Sequence, residues 1–225
     1  MKGKILQMNL LIKKIKRFRN KMYYYILGKN KIKIKGHKNY INKNDSSYIK
    51  NTHILIYGNN NNITFHDDCT VAGLRILIIG DNNLIEFGKG TRVNASTFQP
   101  TVMNALGGKS IIIGEGSLFS NNIEIHTTDY HGIYNSKGER INSDKNILIG
   151  KHVWIGLGTK VLKGTEIADG CVVGAGSVLS GLYQKENTVI AGNPAKTIKE
   201  QIFWQDDLKT FCEVPNILKE KWNIK

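Results

Sequence analysis

The chain has 225 residues, 40% of them hydrophobic and 22% charged, which suits one soluble domain with a sizeable core. Three widely spaced cysteines (Cys69, Cys171, Cys212) and no CxxC pair argue against a disulfide framework or a thiolate zinc site, and favour a reducing cytoplasm. The net charge of +14 is uneven: residues 1–44 hold 14 Lys/Arg and no acid, and the rest is neutral, unlike a uniformly basic nucleic-acid-binding domain.

The first predicted element is a basic N-terminal arm, residues 1–50. Leu11, Ile15, Phe18, Met22 and Tyr25 recur at 4-3-4-3 spacing, one stripe of a helix, and Lys13, Lys14, Lys16, Arg17, Arg19 and Lys21 cover its other faces. That pattern predicts an amphipathic helix held at an anionic membrane surface, peripheral to the inner face of the cell membrane. The same spacing is also an a/d pattern for a short coiled coil inside an oligomer. The apolar start, Ile5 to Ile12, is broken by Gln7 and Asn9 and followed by Lys13 and Lys14, so it does not read as a signal peptide. No apolar run approaches the roughly 18 residues of a transmembrane helix.

Repeats come next. Residues 56–71 match residues 78–93 at a shift of 22: Ile56, Gly58, Asn60, Asn61, Ile63, Phe65 and Val71 pair with Ile78, Gly80, Asn82, Asn83, Ile85, Phe87 and Val93. A further group starts at Ile113 and runs through Phe119 and Ile125. After an interruption, a branched aliphatic returns every sixth position at Ile149, Ile155, Val161, Ile167 and Val173. A helix repeats at 3.6 and a flat strand at 2, whereas six fits a short strand plus a corner relieved by Gly or Asn. Three such hexads make one coil of a parallel solenoid. Ile149 then stacks on Ile167, Ile155 on Val173, and the 22-residue shift is one 18-residue coil plus a four-residue loop. Residues 51–200 form this shaft, a polar loop leaves it at 126–146, and residues 201–225 form a short helical tail.

The motifs TTDYHGI, KHVWIG, VVGAGSV and AGNPAK, in this order between Ile123 and Lys199, resemble the hexapeptide-repeat acyltransferases, in their maltose, galactoside, capsule and polysialic-acid O-acetyltransferase branch. The resemblance covers about two thirds of the chain. It implies an all-β, left-handed parallel β-helix that assembles as a homotrimer, with acetyl-CoA in the groove between neighbouring shafts. It also implies transfer of an acetyl group directly to a sugar hydroxyl of a polysaccharide or oligosaccharide, without a metal.

On that resemblance His131, 23 residues before Trp154, is the catalytic base: an imidazole titrating near neutrality suits removal of a hydroxyl proton. Asp129 would orient it, or else cap the loop turn. His126 is the competing histidine, read as lining the acceptor. Trp154 falls on an outward hexad position, near donor and acceptor or at a subunit interface. Asn94 resembles a position facing the acceptor from a neighbouring subunit. For the donor, backbone groups at Gly156 and Leu157 would meet the thioester oxygen, Ala175 and Ser180 line the pantetheine path, and Lys196 and Lys199 meet CoA phosphates. The text LSGLYQKEN departs from the family's turn after VGAGSV by one extra residue, which leaves the CoA contact there open. Cys171, at an inward position, is expected to be buried rather than acylated. A γ-type carbonic anhydrase shares such a shaft, but the pattern of His126, His131 and His152 does not match its zinc triad. The alternative within enzymes is an N-acetyltransferase acting on an amino sugar or nucleotide-sugar.

Overall fold

The computed structural model describes residues 29–206. The stripe from Leu11 to Tyr25 and the segment 207–225 lie outside the described residues. Within them the chain is all strand and turn, with no helix, and residues 201–206 run without regular structure.

The strands follow one another in coils. The first coil is β1 (Lys31–Lys35), β2 (Tyr40–Lys43) and β3 (Tyr48–Lys50). The second is β4 (His53–Tyr57), β5 (Asn62–Phe65) and β6 (Thr70–Ala72). The third is β7 (Leu74–Ile79), β8 (Leu84–Phe87) and β9 (Arg92–Asn94). The fourth is β10 (Thr101–Leu106), β11 (Ser110–Ile113) and β12 (Leu118–Phe119). The fifth opens with β13 (Glu124–His126) and resumes, after the loop, with β14 (Ile147–Ile149) and β15 (Trp154–Ile155). Then come β16 (Lys160–Val161), β17 (Glu166–Ile167), β18 (Val172–Val173), β19 (Val178–Leu179) and β20 (Leu182–Tyr183). A hairpin of β21 (Val189–Gly192) and β22 (Ala195–Lys199) ends the shaft.

Every third strand pairs in parallel, giving three sheets around one core: a first sheet β1-β4-β7-β10-β13-β16-β19, a second β2-β5-β8-β11-β14-β17-β20, and a third β3-β6-β9-β12-β15-β18-β21-β22. The expected stacking holds: Ile149 pairs with Ile167 and Ile155 with Val173, and Ile56 pairs with Ile78 across the 22-residue shift. The inward positions Val153, Thr159, Thr165, Cys171 and Ser177 are buried, because a strand turns alternate side chains into the shaft. Gly158 and Gly164 take φ of 70° and 76° at the corners, where a Cβ is disfavoured.

Two expectations are corrected. The four extra residues of the 22-residue coils do not bulge out as a loop. They lengthen the strands, to five residues in β4 and four in β5, against two in β16 and β17. The wider coil is filled by Phe65 and Phe87, stacked at 4.6 Å. The shaft also begins near residue 31, inside the stretch read as arm. Ile32 and Ile34 pair with Ile54 and Ile56, and Ile41 with Ile63. Lysines at the alternate, outward positions of β1 gave this strand the look of a basic tail.

Candidate active site

The loop 127–146 leaves the shaft between β13 of the first sheet and β14 of the second. Its two legs are tied by Asn142. The Asn142 amide donates to the His131 carbonyl and to Asp129 Oδ2, both at 2.8 Å, and its Oδ1 accepts from the Ile133 N–H at 2.7 Å. Lys163, at the corner after β16, pins this knot to the shaft: its Nζ lies 2.5 Å from Asp129 Oδ2 and donates to the Asn142 carbonyl at 2.7 Å. The Lys163 ammonium holds the Asp129 carboxyl below the ordinary carboxylate range. Asp129 therefore anchors the loop. The His131 side chain is exposed at the turn so formed. Sequence reasoning missed Asn142 and Lys163. Neither sits in a recognised motif, and an Asn within a polar loop carries no periodic signal.

His126 ends β13 on the outer face of the first sheet. The Asn104 amide meets its Nδ1 at 3.0 Å, the Tyr130 hydroxyl lies 3.2 Å from the same nitrogen, and Glu124 Oε2 lies 3.5 Å from Nε2. Asn104 also contacts the Tyr130 hydroxyl. Burial raises the Tyr130 phenol, and the Lys160 ammonium, 3.0 Å away, lowers Glu124. Both ring nitrogens of His126 are thus engaged within its own chain.

The remaining candidates lie on or near the third sheet. Trp154 points outward from β15 and is 39% exposed, flanked in register by Leu118 and Val172. Asn94 is exposed at the end of β9 on the same sheet. Gly156 and Leu157 form the corner after β15, directly beside Ala175: the Gly156 N–H donates to the Val173 carbonyl at 2.9 Å and the Gly176 N–H to the Leu157 carbonyl at 2.7 Å. A Cβ on Gly156 would stand 2.7 Å from the Ala175 nitrogen, so the two coils touch through backbone there. Lys196 and Lys199 are exposed on β22, paired with Ala191 and Val189. Ser180 belongs to a different corner, after β19 of the first sheet. One chain thus gathers Trp154, Asn94, Gly156, Leu157, Ala175, Lys196 and Lys199 around the third sheet. It places His126 and the His131 loop beside the first.

A feature absent from the sequence reading covers the flank of Trp154. Trp204, 7% exposed, stacks on His152 with ring centroids 4.0 Å apart and tilted 7°. The Trp204 indole donates to the His152 carbonyl at 2.8 Å, and His152 Nε2 lies 3.0 Å from the Trp204 carbonyl. Trp204 also lies 5.9 Å, ring centre to ring centre, from Trp154. Arg92 of β9 forms an ion pair with Asp206. The 52-residue separation of the His152–Trp204 pair hides it from any local pattern. Among the described residues no group of three or more His, Cys, Asp or Glu is placed to hold a metal ion.

Comparison with known proteins agrees with the resemblance seen in the motifs. A bacterial transferase hexapeptide model of six repeats matches residues 146–181. The polysialic acid O-acetyltransferase of Neisseria meningitidis is 34% identical over 95 residues, 42% of this chain and 44% of that protein. A putative lipopolysaccharide biosynthesis O-acetyl transferase, WbbJ, of Escherichia coli (strain K12) is 38% identical over 102 residues, 41% of this chain and 51% of that protein. The chain thus spans about half the length of the curated relatives it matches. The crystal structure of the polysialic acid O-acetyltransferase OatWY superimposes with a TM-score of 0.62 at 29% identity, covering 84% of this chain and 98% of that one.

Proposed function

We propose that this chain, which carries the hexapeptide repeat of the bacterial transferases, is an acetyl-CoA-dependent O-acetyltransferase acting on a sugar hydroxyl of a surface polysaccharide. The observation that carries the reading is the knotted loop. Asn142, Asp129 and Lys163 hold a rigid turn that presents the exposed His131 imidazole, while the backbone corner Gly156–Leu157 stacks on Ala175 at the edge of the third sheet.

In this reading the His131 ring accepts the acceptor hydroxyl's proton as that oxygen attacks the acetyl carbonyl. The Leu157 N–H at the Gly156–Leu157 corner faces the oxygen on which negative charge develops, while the Gly156 N–H is given to the Val173 carbonyl. The proton held by His131 then passes to the departing CoA sulfur, so no covalent enzyme intermediate is needed. Acetyl-CoA supplies only the activated acetyl group. Lys196 and Lys199 supply positive charge for its phosphates. His126, with both nitrogens occupied, lines the acceptor and does not act as base.

The division of candidates between two sheets also supports a trimer of left-handed shafts. The His131 loop of one subunit would face Trp154, Asn94 and the donor corner of its neighbour. The test is to incubate the protein with radiolabelled acetyl-CoA and a panel of capsular polysaccharides, oligosaccharides and nucleotide-amino-sugars. Alkali-labile label on a polysaccharide is the expected result. Label confined to alkali-stable amides of amino sugars would overturn it.

A further inference from the structure

We infer that Trp204 is a positioning residue of the donor site: the extended segment 201–206 folds back along the third sheet and sets this ring, through His152, as a wall against Trp154. This rests on the acetyltransferase reading and adds to it a residue from outside the hexad repeats.

The contacts of the segment draw its path. Gln201, at φ 54°, turns the chain off β22. The Ile202 N–H donates to the Asn187 carbonyl, at the corner before β21, at 2.9 Å. Further along, Asp206 forms its ion pair with Arg92 of β9. Four interstrand steps of the third sheet separate β21 from β9, roughly 19 Å. The stretch from Ile202 to Asp206 spans about 14 Å when extended. The segment therefore runs nearly straight across the coils, and the Arg92 and Asp206 side chains close the remaining gap. Trp204 stands midway, at β15.

The corner it crosses receives it at one position. Just before β9, β12 and β18 stand Gly90, Gly116 and Gly170, with φ of 68°, 66° and 70°. The same place before β15 is held by His152, at φ 52°, a backbone conformation that favours glycine. The His152 ring thus projects where the flanking coils carry no side chain, and Trp204 lies on it. Two hydrogen bonds close the pair. The indole N–H donates to the His152 carbonyl, and His152 Nε2 bears the hydrogen that meets the Trp204 carbonyl, since a carbonyl can only accept. Both the ring and the backbone of Trp204 are therefore fixed. The chain runs from His152 through Trp154 to Gly156. Leu118 and Val172 flank Trp154 across the strands, and Trp204 closes the side toward His152. The side left facing the donor candidates is the one toward the Gly156–Leu157 corner. An indole backed in this way cannot tilt away from that corner.

The test reads the full-length protein in two ways, neither of which is acetyl transfer. Circular dichroism follows the exciton couplet of the Trp154–Trp204 pair, assigned by its loss in Trp204→Ala. Calorimetry follows acetyl-CoA binding. His152→Gly places at this corner the residue that the flanking coils carry, so the shaft stays folded while the segment loses its hold. Every tryptophan remains in that variant, yet the couplet should vanish. Acetyl-CoA binding should weaken about tenfold, the scale of one lost aromatic contact. Trp204→Ala should match it, and Trp204→Phe, which keeps a ring on His152, should retain most of the affinity. A couplet that survives His152→Gly overturns the proposal. A lost couplet with unchanged acetyl-CoA affinity also overturns it, because the segment is then a fastening alone. So does affinity lost only together with the oligomer, which makes the segment a subunit contact. A natural chain that shows the couplet but binds no acetyl-CoA sinks the acetyltransferase reading first and the donor role of Trp204 with it, a result distinct from those three.

Discussion

Before the loop, the coils have long strands, and their buried corner amides form a ladder along the shaft. Asn61 donates to Asn39 Oδ1 at 3.0 Å and to the Gly80 carbonyl at 2.9 Å, and Asn83 donates to Asn61 Oδ1 at 2.9 Å. After the loop, strands β15 to β20 have two residues each and the corners close on themselves. The hydroxyls of Thr159, Thr165 and Ser177 donate to carbonyls three residues earlier, at 2.8, 2.7 and 2.7 Å. The long coils are cross-linked from one to the next by side chains. The short coils are braced mainly corner by corner and offer bare backbone edges, as at Gly156 and Ala175. The long coils thus carry more side-chain bracing between coils and the short coils carry the donor-side candidates, so substitutions should separate the two.

The largest effect is expected at the loop. His131→Ala should lower acetylation by about 10²–10⁴-fold, the usual size of a general-base contribution, with the thermal midpoint unchanged. Steady-state rates of both histidine variants check this. A nearly normal rate for His131→Ala beside an inactive His126→Ala would reverse the assignment. In the long coils, Asn61→Ala removes a completely buried amide, taking the Oδ1 acceptor from the Asn83 N–H and amide and the side-chain donor from the Gly80 carbonyl. It should cost about 3 kcal/mol in urea unfolding while leaving turnover per folded molecule intact. In the short coils, Thr165→Val removes one hydroxyl and should cost only about 1 kcal/mol. If the two costs come out equal, the contrast between ladder and corner bracing is wrong.

The smallest effect concerns acid. Lys163 depresses the Asp129 carboxyl in the fold, so its contribution to loop stability is complete above the ordinary aspartate range, about pH 4. It is lost as pH falls through the lower, folded value. Amide exchange at residues 129–142 should therefore accelerate on acidification before the shaft unfolds, and Asp129→Asn should remove that pH dependence.

Much of this was legible in residue order. A period of six can be read directly when each aliphatic is followed by small or polar residues, as in Ile149 to Val173, and the parallel pairings follow from it. The first coil was hidden because its outward residues are lysines: Ile32, Ile34, Gly36, Asn39 and Ile41 continue the 22-residue spacing beneath them. The resemblance supplied His131 and Trp154. It did not supply Asn142, Lys163 or Trp204, because their partners are brought near by the coiling of the chain and lie far off in sequence. The division of the candidates between two sheets likewise becomes visible only once the coils are counted around the shaft.

The terminal hairpin has a consequence for assembly. A stack of parallel coils ends in open backbone, and each end is a template on which another copy can continue the ladder into a filament. At the C-terminal end the third sheet stops with β22, which runs antiparallel to β21. An incoming parallel strand would meet a partner of the wrong polarity there. At the opposite end, β1 presents Lys31, Lys33 and Lys35, whose mutual repulsion discourages a second chain from docking. Among the described residues, the third sheet is closed at one end by reversal of direction and the first sheet carries like charge at the other. High salt should therefore weaken the guard on the first sheet's edge and leave the third sheet's reversed edge unaffected.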